Sequence, residues 1–434
     1  MSASRLLVRG GTVIDTEPEP TVHIGTDVLV EGDRIAAVGP NIDAADAEVI
    51  DATDRIVLPG FVDTHRHVWQ SVLRGTAIDI DLAGYRDIVL GQYGPRLSPA
   101  DVRVANLVGA LECLDSGITM LHDYSHIQYT AAHTDAAIAG LRESGIRAVF
   151  GYAYPAFDPR PRRPDEIRRA HREHFGRAGQ TGGGLVTMAL APVGPGFGSI
   201  EDAAQDWLLA RELGVRIGTH VGSGQVGRRP IAALAARGLL GADTTYVHGN
   251  ALDDDELTMI ADSGGTVTVA PAVEAQMGHG APMIGRLRAA GIATGLGVDV
   301  VTSVAGDMFS LMRAALFSSH VGAGPRVTTA DVLRMATLGG AETDGLADRI
   351  GSLRPGKQAD IVLLRTDTAN MTGWTHDPIA ATVTAANPST VDTVLVAGDV
   401  RKRDGRLVRA DLAGVIESAG KSAARLAVRA TSSR

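Results

Sequence analysis

The chain has 434 residues, 44% of them hydrophobic and 21% charged, with a formal net charge of −9. That balance excludes a largely disordered chain, and no apolar run reaches the roughly 18 residues of a membrane span. The negative charge argues against general nucleic-acid binding, and the single cysteine, Cys113, excludes an intramolecular disulfide and a cysteine-built zinc site. The N-terminus MSASRLLVRGGTV lacks a signal-peptide layout, because its apolar run covers only Leu6 to Val8. A cytoplasmic protein without membrane contacts is expected. The only lysines are Lys357, Lys402 and Lys421, so a metal site in the middle of the chain must be built from histidines and carboxylates.

Residues 1–58 read as short strands and turns: RLLVRGGTVID, DVLVEGDRIAAVG and AEVIDATDRIVLPG, the second a hairpin turning at Glu31-Gly32-Asp33. From Gly60 the pattern changes to short apolar strands alternating with Ala/Leu-rich helical stretches. Candidate strands occupy 61–64, 118–123, 146–152, 185–192, 215–220, 244–248, 266–270 and 292–299. Eight strands with intervening helices predict an α/β fold, a closed parallel (β/α)8 TIM barrel over 59–350. Within it, the arginine-rich stretch 158–177 opens with prolines and predicts a loop leading into a solvated helix; a lid over an acidic or larger substrate is the other reading. Strands return at 358–365 and 391–408, the latter turning at Asp404-Gly405. The segments 1–58 and 351–411 are each too short to bury a core comfortably, so they are expected to form one small β-sandwich together. Residues 412–434 read as a C-terminal helix fading into a polar tail.

The stretch GFVDTHRHVWQ, Gly60 to Gln70, carries the first chemical signal. Side chains i and i+2 of a strand share a face, so His65 and His67 project together while Arg66 points away. Two convergent imidazoles suit a transition metal; the alternative is a polar pair bonded to backbone. In a (β/α)8 barrel the chemistry collects at the C-terminal ends of the strands. His65 and His67 end the first strand, His122 and Asp123 the second, His220 the fifth, His248 the sixth and Asp299 the eighth. Random scatter seldom places so many histidines at one edge, which favours the metal.

LPGFVDTHRHVWQSVLRG, GTHVG, YVHGNAL, GLGVDVVTS and GSLRPGKQADIVLL together resemble the amidohydrolase superfamily, in its cytosine deaminase and triazine chlorohydrolase branch. The resemblance covers nearly the whole chain. It implies that His65, His67, His220 and Asp299 bind one divalent metal, zinc first and iron second, with His248 beside the reacting group. Asp299 is then expected to take a proton from an activated water and deliver it to the leaving group. His248 would stabilise the atom that gains negative charge. The binuclear relatives bridge their metals with a carboxylated lysine, which this barrel cannot supply.

Two departures bear on the reaction. The branch usually carries a glutamate three residues after the fifth-strand histidine, where this chain has Ser223; that glutamate protonates a ring nitrogen, and a serine lacks the acid strength. After the seventh strand stands APAVEAQMGHG, where the family often shows a serine-asparagine pair. Glu274 there reads either as a displaced catalytic acid or as the partner of an arginine. Trp69, Gln70, His122, Ser223, Met277 and His279 are expected to bind substrate, with Asp123, Tyr124 and His126 as pocket wall or as partners of the metal histidines.

The expected activity is hydrolysis of a C–N bond in an amide, amidine or amino-heterocycle of a small molecule or modified peptide, including specialised-metabolite processing. The alternatives are a cytosine-deaminase-like aminohydrolase and, from another class, a metal-bound cyclase-dehydratase or a non-catalytic binding protein. A homo-oligomer is compatible with this reading but not demanded by it.

Overall fold

A computed structural model describes residues 5–158, 160, 162–176, 184–223, 228–408 and 410–431. The N-terminal segment supplies β1 (Arg5–Asp15), β2 (Thr21–Glu31), β3 (Arg34–Gly39), β4 (Glu48–Asp51) and β5 (Arg55–Pro59). The hairpin turns at Gly32-Asp33, between β2 and β3, where Gly32 takes a φ of 62° that suits a residue without Cβ. Eight barrel strands follow among the described residues: β6 (Phe61–Arg66), β7 (Ile118–Ser125), β8 (Arg147–Tyr152), β9 (Val186–Leu190), β10 (Arg216–Val221), β11 (Thr244–His248), β12 (Thr266–Val269) and β13 (Thr294–Leu296). The C-terminal segment adds β14 (Ile361–Arg365), β15 (Val391–Val396), β16 (Asp399–Arg403) and β17 (Arg406–Leu407), before the helix Leu412–Thr431. The tail 432–434 lies outside the described residues.

The two flanking segments make one continuous sheet, ordered β17-β16-β15-β14-β5-β1-β2-β3 with β4 on β1. The join is the antiparallel β5–β14 pair, Arg55–Pro59 against Ile361–Arg365. Alternation along β1 explains why neither segment suffices alone. Leu6 and Val8 share a core with Val57 of β5 and Ile361 and Leu363 of β14, whereas Leu7 faces the other way onto Leu29 and Ala44. A buried pair fastens this sheet to the barrel: Arg147 at the start of β8 donates twice to Asp360, at 2.9 and 2.8 Å. Such a planar fork fits a carboxylate in two places and fixes orientation as well as distance.

The barrel strands run parallel in the order β13-β12-β11-β10-β9-β8-β7-β6. One end is plugged by Val62, Met120, Val149 and Ala189 against Ala341 and Ile350, from the helix Leu338–Thr343 and the turn after it. The other end, where the strands finish, stays open to side chains. Closure between the first and last strands occurs only there, by an isolated parallel bridge between Arg66 and Asp299. No helix among the described residues is long and apolar enough to cross a membrane.

Candidate metal centre and active site

Barrel closure itself assembles the site. The Asp299 backbone N–H donates to the His65 carbonyl at 2.7 Å and the His67 N–H donates to the Asp299 carbonyl at 2.9 Å, so the two chain ends interleave. This approach requires Gly297: a Cβ there would lie 2.5 Å from the His65 Cβ. Arg66 points away from the site, fully buried, with its Nε on Asp63 Oδ2 at 2.7 Å. Asp63 in turn accepts from the Val298 N–H at 3.0 Å, tying the first strand to the segment that delivers Asp299. His248 and Asp299 adopt φ values of 72° and 66°, left-handed backbone that non-glycine residues enter at a cost of roughly 1–2 kcal/mol each. Strain of this kind persists where surrounding structure over-determines it, commonly at functional sites.

Asp299 Oδ1 lies 3.1 Å from His65 Nε2 and 3.3 Å from His67 Nε2, and Oδ2 lies 3.7 Å from His248 Nε2. Ring centroids of His65 and His220 are 4.8 Å apart. Candidate ligand atoms of His65, His67 and Asp299, and those of His65, His220 and His248, each fall within 4.8 Å of one another. Both groups contain His65, so they describe one centre.

The charge states suit a cation. Burial lowers the His65 pKa to about 3 and holds His220 well below the ordinary histidine value, so both rings are neutral and keep a lone pair. Burial alone would raise Asp299, but His65, His67 and His248 overcome it and keep its carboxylate ionised. His67 Nδ1 donates to the Tyr124 carbonyl at 2.7 Å, which leaves Nε2 as the lone-pair nitrogen aimed at Asp299. His65 Nδ1, also buried, has no hydrogen-bond partner in the structure. Neutral imidazoles around one ionised carboxylate are the donor chemistry of a divalent metal, and these residues fit one.

Glu274 stands behind His248. Its Oε1 accepts from His248 Nδ1 at 3.1 Å and from the Ala270 N–H at 2.7 Å, while Oε2 accepts from Asn250 at 3.2 Å. Of the two expectations for this carboxylate, neither an arginine partner nor direct access to the cavity is what the structure shows. Burial would lower the His248 pKa, but the Glu274 bond and the Asp299 charge outweigh it and raise it above the ordinary value. His279 packs edge-on against His248, with ring centroids 4.6 Å apart, and burial lowers its pKa to about 4. Among the described residues neither of its ring nitrogens has a hydrogen-bond partner, nor does Ser223 Oγ.

A cavity of about 330 Å³ opens over this centre, lined by His67, His220, His248 and Asp299 at its polar end. Of the residues expected to bind substrate, Ser223, Met277 and His279 line it. The other three stand behind the wall. Trp69 is fully buried and donates from Nε1 to His126 Nδ1 at 3.1 Å, holding the ring that stacks on His67 at 4.1 Å. Gln70 donates to the Tyr85 hydroxyl at 2.6 Å, and His122 Nδ1 bonds Asp344 at 2.6 Å, deeper in the barrel. Asp123 accepts from the Val68 N–H at 3.1 Å and from Asn106 at 3.0 Å, fixing the chain just past the histidine pair.

The rest of the wall comes from loops that the sequence does not announce. Leu82, Tyr85, Arg86 and Leu90 follow the first barrel strand, Tyr154 and Phe157 the third, and Val193 and Phe197 the fourth. Arg86 and Leu90 lie on an irregular helix, Arg86–Tyr93, in a stretch without apolar periodicity. The arginine-rich stretch contributes mainly an outer face. On its helix Pro164–Phe175, Arg168 pairs with Glu212, and Arg169 with Asp135 and Glu166. Residues 159, 161 and 177 of that stretch lie outside the described residues.

The amidohydrolase family model matches residues 56–401. The chain belongs to the amidohydrolase family. A 5-methylthioadenosine/S-adenosylhomocysteine deaminase of Symbiobacterium thermophilum is 32% identical over 430 residues, covering 94% of each chain. Among solved structures, an adenosine deaminase from Xanthomonas campestris with bound zinc superposes with a TM-score of 0.89 at 25% identity, over 98% of this chain and 99% of that one. A triazine hydrolase from Arthrobacter aurescens superposes with a TM-score of 0.87 at 25% identity, over 97% and 99%. This amidohydrolase is therefore a deaminase-like, metal-dependent hydrolase of C–N bonds other than peptide bonds.

Proposed function

We propose that the enzyme removes an amino group from a small planar substrate, an amino-heterocycle or the related amidine or amide, at a single zinc ion held by His65, His67, His220 and Asp299. The observation that carries this reading is the convergence of neutral imidazoles and an ionised aspartate at the floor of a cavity of about 330 Å³. Zinc suits such a set. When bound, the metal lowers the pKa of a coordinated water from 15.7 to about 7. Asp299 is the base: Oδ1 lies against His65 and His67, which leaves Oδ2 to receive the water proton and return it to the leaving nitrogen. His248 has its Nδ1–H committed to Glu274, and in the imidazolium form that Glu274 and Asp299 favour its Nε2–H donates to the atom that gains negative charge. Ser223 and His279 offer unpartnered polar atoms to the substrate's own nitrogen or oxygen. Adenosine and 5-methylthioadenosine belong in the first panel because a relative and a structural neighbour act on such compounds by name. Zinc-loaded enzyme is expected to release ammonia from at least one amino-heterocycle, amidine or amide, and Asp299→Asn to cut that rate by about 10²–10⁴-fold. Full zinc occupancy without ammonia release from any of the three classes would sink the reading.

A further inference from the structure

Arg86 lies in the wall of the cavity, half-buried. Its Cζ sits 5.3 Å from the centroid of the Phe157 ring and 5.3 Å from that of Phe197. Two rings attract the guanidinium charge, but they accept its five N–H donors far less well than a carboxylate does. Among the described residues Arg86 has no ion-pair or side-chain hydrogen-bond partner. Arginines that follow Phe157 in the chain differ: Arg160 pairs with Asp158, Arg162 with Asp202, and the Arg163 guanidinium donates to the Gln128 carbonyl at 2.9 Å.

The clamp is built from three separate loops. Phe157 has a φ of 60°, a left-handed conformation unusual for a bulky residue, and its ring is 60% exposed rather than folded into the core. Phe197 ends the short helix Gly194–Phe197, which turns back over β10 because Gly194, at φ 72°, has no Cβ to strike Thr219 at 2.2 Å. Two aromatic side chains are thus spent on holding one arginine, and the only carboxylate in the cavity wall among the described residues, Asp299, belongs to the proposed metal centre. A guanidinium kept in place with its donors unspent is a built receptor for an oxyanion.

We propose that Arg86 is a specificity-determining residue that binds an anionic oxygen group, a carboxylate or a phosphate, on the part of the substrate away from the reacting C–N bond. The substrate is then an amine that carries its own negative charge. This rests on the proposed function, since the same cavity must hold the reacting end, and the test separates the two.

Binding is measured by calorimetry on zinc-loaded enzyme with adenosine, adenosine 5′-carboxylate and adenosine 5′-monophosphate, and with benzamide and 4-carbamoylbenzoate, which keeps the amide and adds a remote carboxylate, as a second neutral and anionic pair. The wild type is expected to bind an anionic member at least tenfold more tightly than its neutral counterpart; the carboxylate and phosphate arms show which oxyanion fits. Arg86→Gln should abolish that preference while leaving neutral-probe affinity and zinc content unchanged, and Arg86→Lys should restore part of it. For any probe that is turned over, the loss in Arg86→Gln should fall on KM rather than kcat. A preference that survives Arg86→Gln, or no anionic preference in either pair, would overturn the assignment. Ammonia release without anionic preference refutes Arg86 alone, whereas anionic preference without ammonia release from any substrate class refutes the deaminase reading alone.

Discussion

His248 and Glu274 show how one carboxylate changes its meaning with direction. From the sequence Glu274 stands on the same rim as the catalytic groups, where a displaced acid would sit. In the structure it stands in the first turn of the helix Pro271–Met277, and its Oε1 bonds both the Ala270 N–H and His248 Nδ1. We expect it to act through His248 as a positioning residue. Glu274→Gln keeps the size but can offer its amide N–H to His248, inverting the hydrogen bond and the ring's preferred tautomer. We expect zinc content and melting temperature close to wild type, kcat lower by about 10–100-fold, and the pH profile of kcat displaced, because His248 loses the neighbour that raises its pKa. A rise in KM alone, with kcat and its pH profile intact, would instead place Glu274 in substrate contact. The histidine pair was legible because strand alternation is a local rule that puts residues i and i+2 on one face. Glu274's direction was not, since it depends on a helix start and a φ of 72° at His248 that no local pattern announces.

Element by element, the strands were the readable part: all eight barrel strands lie within two residues of their expected starts, because apolar runs of this length have few other solutions. Yet 292–299 narrows to β13, Thr294–Leu296, since the chain leaves regular geometry to bring Asp299 between His65 and His67. The rim loops bearing Tyr85, Arg86, Phe157 and Phe197 were not readable, because they meet only when the barrel closes. Long-range docking of the last helix was equally hidden. Leu412–Thr431 returns to the helix Pro99–Asp115, burying Leu426 and placing Ser422 and Arg425 on Asp101. Burial would raise the Asp101 pKa, but these partners and Ser98 lower it from the ordinary 3.8 to about 2. A depressed carboxylate pKa stabilises the folded form above the unfolded value and loses that contribution as pH falls through the folded value. Helix docking should therefore hold full strength above about pH 4 and weaken between pH 4 and 2, by on the order of 1–2 kcal/mol. Hydrogen exchange along 412–431 should accelerate over that range in the wild type and depend less on pH in Arg425→Ala. An identical pH dependence in both would deny Asp101 the role.

For the molecule as a whole, the barrel and the flanking sheet divide the work, and the lysines show where the division falls. Lys357 bonds Glu17 within the flanking segments, and Lys402 of β16 bonds the Asp115 carbonyl at the seam between sheet and barrel, so neither bond is made at the open end of the barrel. The two groups of candidate ligand atoms share His65, and among the described residues no further cluster of three histidines or acids is available. We therefore expect a single metal. Because the ligand set exists only when β6, β10 and the segment after β13 are assembled, metal binds the folded state and adds to its stability by mass action. At a free metal concentration of about 1,000 times Kd that contribution is about 4 kcal/mol. Chelator-treated enzyme is expected to melt several degrees lower than the zinc form, with melting temperature and activity both recovering on titration and both saturating near one equivalent. His220→Ala should abolish most of the shift while still folding, since the ring packs against other site histidines and, among the described residues, makes no side-chain hydrogen bond to the barrel backbone. A titration in which activity continues to rise to two equivalents, or a His220→Ala variant with an undiminished zinc-dependent shift, would require a second ligand set that this arrangement of residues does not contain.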